Sequence, residues 1–290
     1  MAHRVLVVNP MAEPEDLALL QQAAEVVQVN TPTQSDEAAV IAAVKGMHAI
    51  IANPGSFVTR NVIMASDVLQ VISVFGAGFD RVDVDAATER GILVVNNTGV
   101  GSNPVAEHAL GMMIALAKDF RRADRMVRDQ GWAARSHYFG AAMGIELDGL
   151  TLGIVGLGNI GSLLAKKAIA AFNMRVLAYD PYLADEVFTN LGVTRTARLI
   201  EMLPECDFVS IHAPATPETR HMIGREQLQA MKPTAYLINC ARGPLVDPDA
   251  LVEALRTGVI PAAGIDVFEV EPMPPDDPFF GVDNLLAQHC

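Results

Sequence analysis

The chain has 290 residues, of which 51% are hydrophobic and 19% charged. That composition excludes global disorder and suits roughly two folded domains. A net charge of −13 argues against a nucleic-acid partner, since the only basic cluster is Arg121, Arg122, Arg125 and Arg128. From the N-terminus, Met1-Ala2-His3-Arg4 leads into the apolar run Val5–Val8, which Asn9-Pro10 ends. Four apolar residues make a buried strand but not a signal-peptide core, so the cytoplasm is the expected compartment. Further runs at Val26–Val29, Ala49–Ala52, Val71–Phe75 and Ile92–Val95 alternate with helical stretches at Glu13–Ala24, Ser35–Lys45, Asn61–Ala65 and Asp83–Arg90. Uninterrupted apolar strands with helical crossovers predict a parallel sheet covered on both faces. Thr98 to Pro104 is a turn-rich break near residue 100, and one long helix is predicted from about Val105 to Arg128. Its longest apolar run, Ala109 to Ala117, is far short of the about 20 residues of a membrane span.

A second alternating series begins at Thr151–Val155 and continues through strands at Arg175–Tyr179, Phe208–Ile211, Ala235–Ile238, Ala262–Ile265 and Asn284–Ala287. Helices are predicted near Ile160–Phe172, Ala197–Met202, Arg225–Met231 and Pro248–Thr257. Two α/β domains, both doubly wound with parallel sheets, are therefore expected, covering 1–100 and 101–290. Prolines 272, 274, 275 and 278 make Glu269 to Pro278 an extended surface loop. Cys206, Cys240 and Cys290 are widely spaced with no CxxC, so neither a disulfide framework nor a metal site is expected.

Gly156-Leu157-Gly158-Asn159-Ile160-Gly161 is a GxGxxG motif placed between a predicted strand and a predicted helix. Its glycines serve a tight turn, close approach to a pyrophosphate, and helix–strand packing. The helix N-terminus presents unpaired N–H groups to the phosphates. Asp180 ends the next strand, at the spacing of about 20 residues that puts a carboxylate on the ribose hydroxyls. The same carboxylate would repel a 2′-phosphate, so NAD is expected rather than NADP.

Three further segments follow predicted strands directly: Asn239-Cys240-Ala241-Arg242-Gly243, Asp266 to Pro272, and Gln288-His289. Ligands of open α/β sheets bind at such strand ends. An arginine can hold a carboxylate and polarise a carbonyl. A histidine can deliver a proton as hydride arrives, and a neighbouring carboxylate orients it. Taken singly, Arg242, Glu271 and His289 read as ordinary surface residues. His108 reads as a satisfied helix histidine, Met112 and Met113 as core or subunit-interface filler, and Cys240 as a residue of backbone placement. Trp132 and Tyr138 are weaker candidates for the site. Val105, Ala109, Met112, Met113, Leu116 and Phe120 recur at helical spacing and suggest a dimer face on the long helix.

Gly76-Ala77-Gly78-Phe79-Asp80, Val105-Ala106-Glu107-His108, the GxGxxG motif, His212-Ala213-Pro214, Asn239 to Gly243, Asp266 to Pro272 and His289 occur in one order along the chain. In this the chain resembles the D-isomer-specific 2-hydroxyacid dehydrogenases, in the branch of phosphoglycerate dehydrogenase and hydroxypyruvate/glyoxylate reductase. The resemblance implies a flavodoxin-like substrate domain followed by a Rossmann nucleotide-binding domain. It implies an NAD-dependent oxidoreductase interconverting a small 2-oxo acid and its D-2-hydroxy acid. It gives Arg242, Glu271 and His289 the catalysis, Glu271 assisting His289. Cofactor contacts are implied for Gly156, Gly158, Asn159, Ile160, Gly161, Asp180, His212, Ala213, Pro214, Cys240, Ala241, Arg242 and Asp266, the last toward the nicotinamide carboxamide. Substrate contacts are implied for the N–H groups of Ala77 and Gly78, and for Arg242 and His289.

The sequence departs from the family in two places. The family continues past its catalytic histidine with a helix that returns to the first domain, a segment expected to be missing here. Phosphoglycerate-specific members carry a basic residue in the loop after the third strand. Here that loop reads Asn53-Pro54-Gly55-Ser56-Phe57, with Arg60 expected in the following helix, which leaves a phosphorylated substrate open. The rival reading is an NAD(H)-binding, redox-sensing interaction protein with little or no activity. Formate dehydrogenase shares the fold but has no use for a His–Glu acid–base pair.

Overall fold

The structure is a computed structural model that describes residues 3–10, 13–31, 36–133 and 144–288. It divides into two compact units, Met1–Gly101 and Ser102–Cys290. In the first, strands β1 (His3–Val8), β2 (Ala24–Val29), β3 (Ala49–Ala52), β4 (Val71–Val74) and β5 (Leu93–Asn96) form one parallel sheet in the order β2-β1-β3-β4-β5. Helices α1 (Pro14–Ala23), α2 (Ala38–Ala43), α3 (Arg60–Ala65) and α4 (Val84–Glu89) connect them. The apolar strands converge on a core of Leu6, Val8, Ile50, Ala52, Ile72 and Val74, closed by Val62, Ile63, Ala86 and Ala87 from α3 and α4. Each fully buried valine, leucine or isoleucine there contributes on the order of 1.5–3 kcal/mol. Thr59 and Asp83 cap α3 and α4 by accepting from Val62 N and Ala86 N.

The second unit holds a seven-stranded parallel sheet in the order β12-β11-β10-β9-β6-β7-β8. Its strands are β6 (Thr151–Val155), β7 (Arg175–Tyr179), β8 (Thr194–Arg195), β9 (Phe208–Ile211), β10 (Tyr236–Asn239), β11 (Ala262–Ile265) and β12 (Leu285–Ala287). Its helices are α5 (Ser102–Ala117), α6 (Phe120–Gln130), α7 (Asn159–Phe172), α8 (Asp185–Leu191), α9 (Leu199–Met202), α10 (Arg225–Ala230) and α11 (Pro248–Thr257). The order reverses at β6, whose neighbours are β7 and β9, and such a switch point opens a crevice at the strand ends. Separate cores line the two faces of the sheet. One gathers Leu152, Ile154, Leu164, Phe188 and Phe208 under α5 and α7; the other gathers Val155, Ile211, Leu237, Leu251 and Ile265 under α10 and α11.

Three expectations need correction. The long helix from Val105 to Arg128 is two helices, because Asp119 adopts a left-handed φ of 49° between α5 and α6. Of the apolar stripe expected as a dimer face, Ala109, Met112 and Met113 are buried within the second unit as core, while Val105 and Leu116 are half-buried and Phe120, which opens α6, is exposed. The two-residue strand β8 and the helix α8 were not expected: one is too short to show a period, and the other is a seven-residue helix with Val187, Phe188 and Leu191 as its apolar residues. Among the described residues, no helix is long and apolar enough to cross a membrane.

Candidate active site

The loop after β6 is shaped by what cannot fit there. Gly156 has φ +90°, and a Cβ on it would lie 2.8 Å from Ala213 N. A Cβ on Gly161 would lie 2.2 Å from the carbonyl oxygen of Gly156. Both positions exclude a side chain, whereas a Cβ on Gly158 would meet nothing within 4 Å. The backbone at Gly158 is thus open to a ligand, at the N-terminus of α7 where Asn159 and Ile160 begin the helix. Asp180 stands at the end of β7. Its Oδ2 accepts from Leu157 N at 3.0 Å and its Oδ1 from Tyr182 N at 3.0 Å. Those bonds fix the carboxylate beside the glycine loop and leave each oxygen lone-pair capacity for a ribose hydroxyl.

His212 and Ala213 complete this side. His212 N donates to Val155 O at 2.7 Å, and its Nε2 pairs with Ser210 Oγ at 2.9 Å. Its Nδ1 is buried without a hydrogen-bond partner among the described residues. Burial pushes the imidazole pKa down to about 4, so the ring is neutral at physiological pH. Pro214 follows, exposed. An open glycine backbone, a fixed carboxylate and an orphaned neutral imidazole are what a dinucleotide would engage.

The turn after β10 is held by one buried side chain. Asn239 Oδ1 accepts from Ala241 N at 3.0 Å, and its Nδ2 donates to the carbonyl of Arg242 at 2.9 Å. Asn239 therefore sets the backbone from which Arg242 projects; the guanidinium Nη1 donates to Ala241 O at 2.7 Å. The next residue, Gly243, lies under the loop that follows β11, since a Cβ there would fall 2.0 Å from the carbonyl carbon of Phe268. Asp266 N donates to Asn239 O at 3.0 Å, which brings the two loops together at their roots. Within the second loop, Glu271 Oε1 accepts from Phe268 N at 2.9 Å.

Glu269, expected in a surface loop, is mostly covered. It accepts from His221 Nε2 at 3.1 Å and from Arg220, and His221 N donates to Pro244 O at 2.8 Å. Arg220 and His221 thus tie a third loop to the Arg242 turn and the Glu271 loop. Sequence reasoning missed Asn239, Arg220 and His221 as site-builders; only Asn239 carried a signal, as the residue closing a strand before Arg242. His108 also differs from expectation. Its Nε2 is buried with no hydrogen-bond partner among the described residues, 3.5 Å from Asp266 Oδ1. His289 and Tyr138 lie outside the described residues; the chain is followed to Gln288, whose N–H donates to Ile265 O.

In the first unit, Ala77 and Gly78 sit in the loop after β4. Asn96 Nδ2 donates to Ala77 O at 2.7 Å, and a Cβ on Gly76 would press on Pro54 Cγ at 2.7 Å. Arg60 opens α3 as expected and pairs with Glu89. A basic side chain that the sequence did not single out, Arg81, donates to Gly55 O at 3.2 Å and lies over the Phe57 ring.

Residues 110–289 match the model of the D-isomer specific 2-hydroxyacid dehydrogenase NAD-binding domain. The chain belongs to the D-isomer specific 2-hydroxyacid dehydrogenase family. It is 41% identical to a D-3-phosphoglycerate dehydrogenase of Methanocaldococcus jannaschii over 98% of this chain and 52% of that protein. It is 42% identical to a glyoxylate reductase of Korarchaeum cryptofilum over 87% of this chain and 75% of that one. A crystal structure of a Thermus thermophilus protein superposes with a TM-score of 0.87 at 36% identity, covering 98% of this chain and 88% of the other. The chain spans about half the length of the D-3-phosphoglycerate dehydrogenases it matches. For this family member, the glycine loop, Asp180 and the His212 corner lie within the matched NAD-binding domain.

Proposed function

We propose that this chain is an NAD-dependent oxidoreductase that interconverts a small 2-oxo acid and its D-2-hydroxy acid. One observation carries the reading. The Arg242 turn and the Glu271 loop are stacked backbone on backbone at Gly243, at the same carboxyl-terminal end of the parallel strands as the glycine loop. Residues 102–290 are then the NAD-binding domain, and residues 1–101 the substrate domain. Gly158, Asn159, Ile160, Asp180, His212, Cys240, Ala241 and Asp266 hold the cofactor, which when bound supplies or accepts the hydride. The Arg242 guanidinium holds the substrate carboxylate and polarises the carbonyl. In residues 1–101, the N–H groups of Ala77 and Gly78 are the substrate contacts. The His289 imidazole gives its proton to the carbonyl oxygen during reduction, and Glu271 orients the ring.

The chain works as a homodimer in the cytoplasm. Phe120, the exposed member of the expected stripe, and Val127, both on α6 and exposed at 56% and 57%, offer the apolar surface for a second copy.

The test is NADH oxidation by the 290-residue chain with glyoxylate, hydroxypyruvate, pyruvate, 2-oxoglutarate and 3-phosphohydroxypyruvate. Turnover of at least one is expected, with the D configuration wherever the product is chiral. NADH binding with no turnover of any of them would instead favour the redox-sensing reading.

A further inference from the structure

His108, Cys240 and Asp266 are far apart in the chain, and no ligand spacing in the sequence links them. The fold converges them. His108 projects from α5, Cys240 stands just after β10 and Asp266 just after β11, and α5 packs on both strands. One ligand atom from each, the imidazole nitrogen, the thiol sulfur and a carboxylate oxygen, lie within 4.8 Å of one another. A second soft donor is adjacent. Met112 is one helical turn from His108, and its Sδ is 3.5 Å from Cys240 Sγ. His108 Nε2 is buried and, among the described residues, lacks a hydrogen-bond partner, a costly state for a polar atom.

We infer that His108, Cys240 and Asp266 form a site for a thiophilic divalent transition-metal ion of the zinc class. The donor set is that of zinc: imidazole, thiolate and carboxylate. The charges balance as well. On binding, the Cys240 thiol gives its proton to solvent, and thiolate plus carboxylate neutralise the two positive charges beside a neutral imidazole. A neutral assembly is what a poorly hydrated place tolerates, and the Asp266 side chain is only 10% exposed. Donors on a tetrahedral zinc ion stand roughly 3.3–3.8 Å apart, which follows from bonds of about 2.0–2.3 Å. His108 and Asp266, at 3.5 Å, already have that separation. Three protein ligands leave the fourth position to water.

The proposal extends the functional reading above, in which Cys240 and Asp266 hold the cofactor, Asp266 at the nicotinamide. On that reading, the metal and NADH exclude each other, and micromolar zinc is a reversible inhibitor competitive with NADH.

Cobalt(II) makes the site visible without any turnover. Titrating the whole 290-residue chain with cobalt should give one equivalent of a thiolate-to-metal charge-transfer absorption with tetrahedral ligand-field bands. Cys240→Ser should abolish the charge-transfer band. His108→Gln, a change at a partly exposed helix position, should weaken cobalt binding at least about 10-fold while keeping the band. No thiolate band in the wild-type chain would overturn the site, as would a band of unchanged strength in Cys240→Ser. An unchanged affinity in His108→Gln would overturn it too. NADH is expected to displace the cobalt. A band that saturating NADH leaves in place would keep the metal site and remove Cys240 and Asp266 from the cofactor contacts.

Discussion

The loops after β6 and after β10 lie at the same carboxyl-terminal end of the sheet and are held by different means. After β6, shape comes from absence: at Gly156 and Gly161 any side chain would collide with backbone. After β10, shape comes from long-range pairing: Asn239 bonds the turn, Gly243 supports the Phe268 backbone, and Glu269 joins Arg220 and His221. Glycine loops of the first kind bind through main-chain groups and so take a cofactor common to many enzymes. Side-chain networks of the second kind can be retuned residue by residue, which suits the half of a site that selects and transforms a substrate.

The sharpest way to break this division is at Arg242. Arg242→Ala should lower kcat/KM by about 10²–10³-fold, and Arg242→Lys should do nearly as badly, because a point ammonium cannot replace a planar fork. NADH affinity, measured by fluorescence titration, should change little in the Arg242→Lys variant. Near-native turnover in that variant would remove Arg242 from substrate binding. Next in size is the cofactor choice set after β6 and β7. Asp180 should favour NADH over NADPH by on the order of 10²-fold, through repulsion of a 2′-phosphate. Asp180→Ser should erase most of that ratio in steady-state kinetics, and equal use of both cofactors by the wild type would contradict the assignment.

Asn239→Ala tests the turn itself. It leaves the buried Ala241 N–H and the part-buried Arg242 carbonyl without their partner and should cost about 2–4 kcal/mol in urea unfolding. A loss below about 1 kcal/mol would mean the turn holds without Asn239. The smallest effect belongs to His212. Its folded pKa, about 4, lies below the ordinary value of 6.5. The unfolded chain therefore binds a proton first, and this contribution to stability is full above pH 6.5 and lost as pH falls toward 4. The share due to His212 is at most a few kcal/mol. His212→Gln should flatten the stability–pH curve in that window relative to wild type, and parallel curves would show that His212 ionises freely.

Legibility follows the same division. The strands at Ala49–Ala52, Thr151–Val155, Arg175–Tyr179, Phe208–Ile211 and Ala262–Ile265 were readable residue for residue, because strands buried on both faces are continuous apolar runs. The glycine loop and Asp180 were readable because their rules span one βαβ unit. The break at Asp119 was not, since a left-handed aspartate is a backbone choice with no periodic signature. Nor was the grip of Arg220 and His221 on Glu269, or the meeting of His108, Cys240 and Asp266. Those depend on which strands become neighbours, and the strand order fixes that only after the whole sheet is laid down.

That order also has a consequence in time. β6 pairs with β7, a short crossover away, and with β9, which arrives only after β7, β8 and their helices. Closing a longer loop costs more entropy and slows pairing. The cofactor half of the sheet should therefore gather first, and the half carrying Arg242 should dock onto it later. In pulsed hydrogen exchange during refolding, amides of Leu152–Val155 and Val176–Tyr179 should gain protection ahead of those of Leu237–Asn239 and Ala263–Ile265. A nascent chain would thus own a place for its nucleotide before it owned the means to use it.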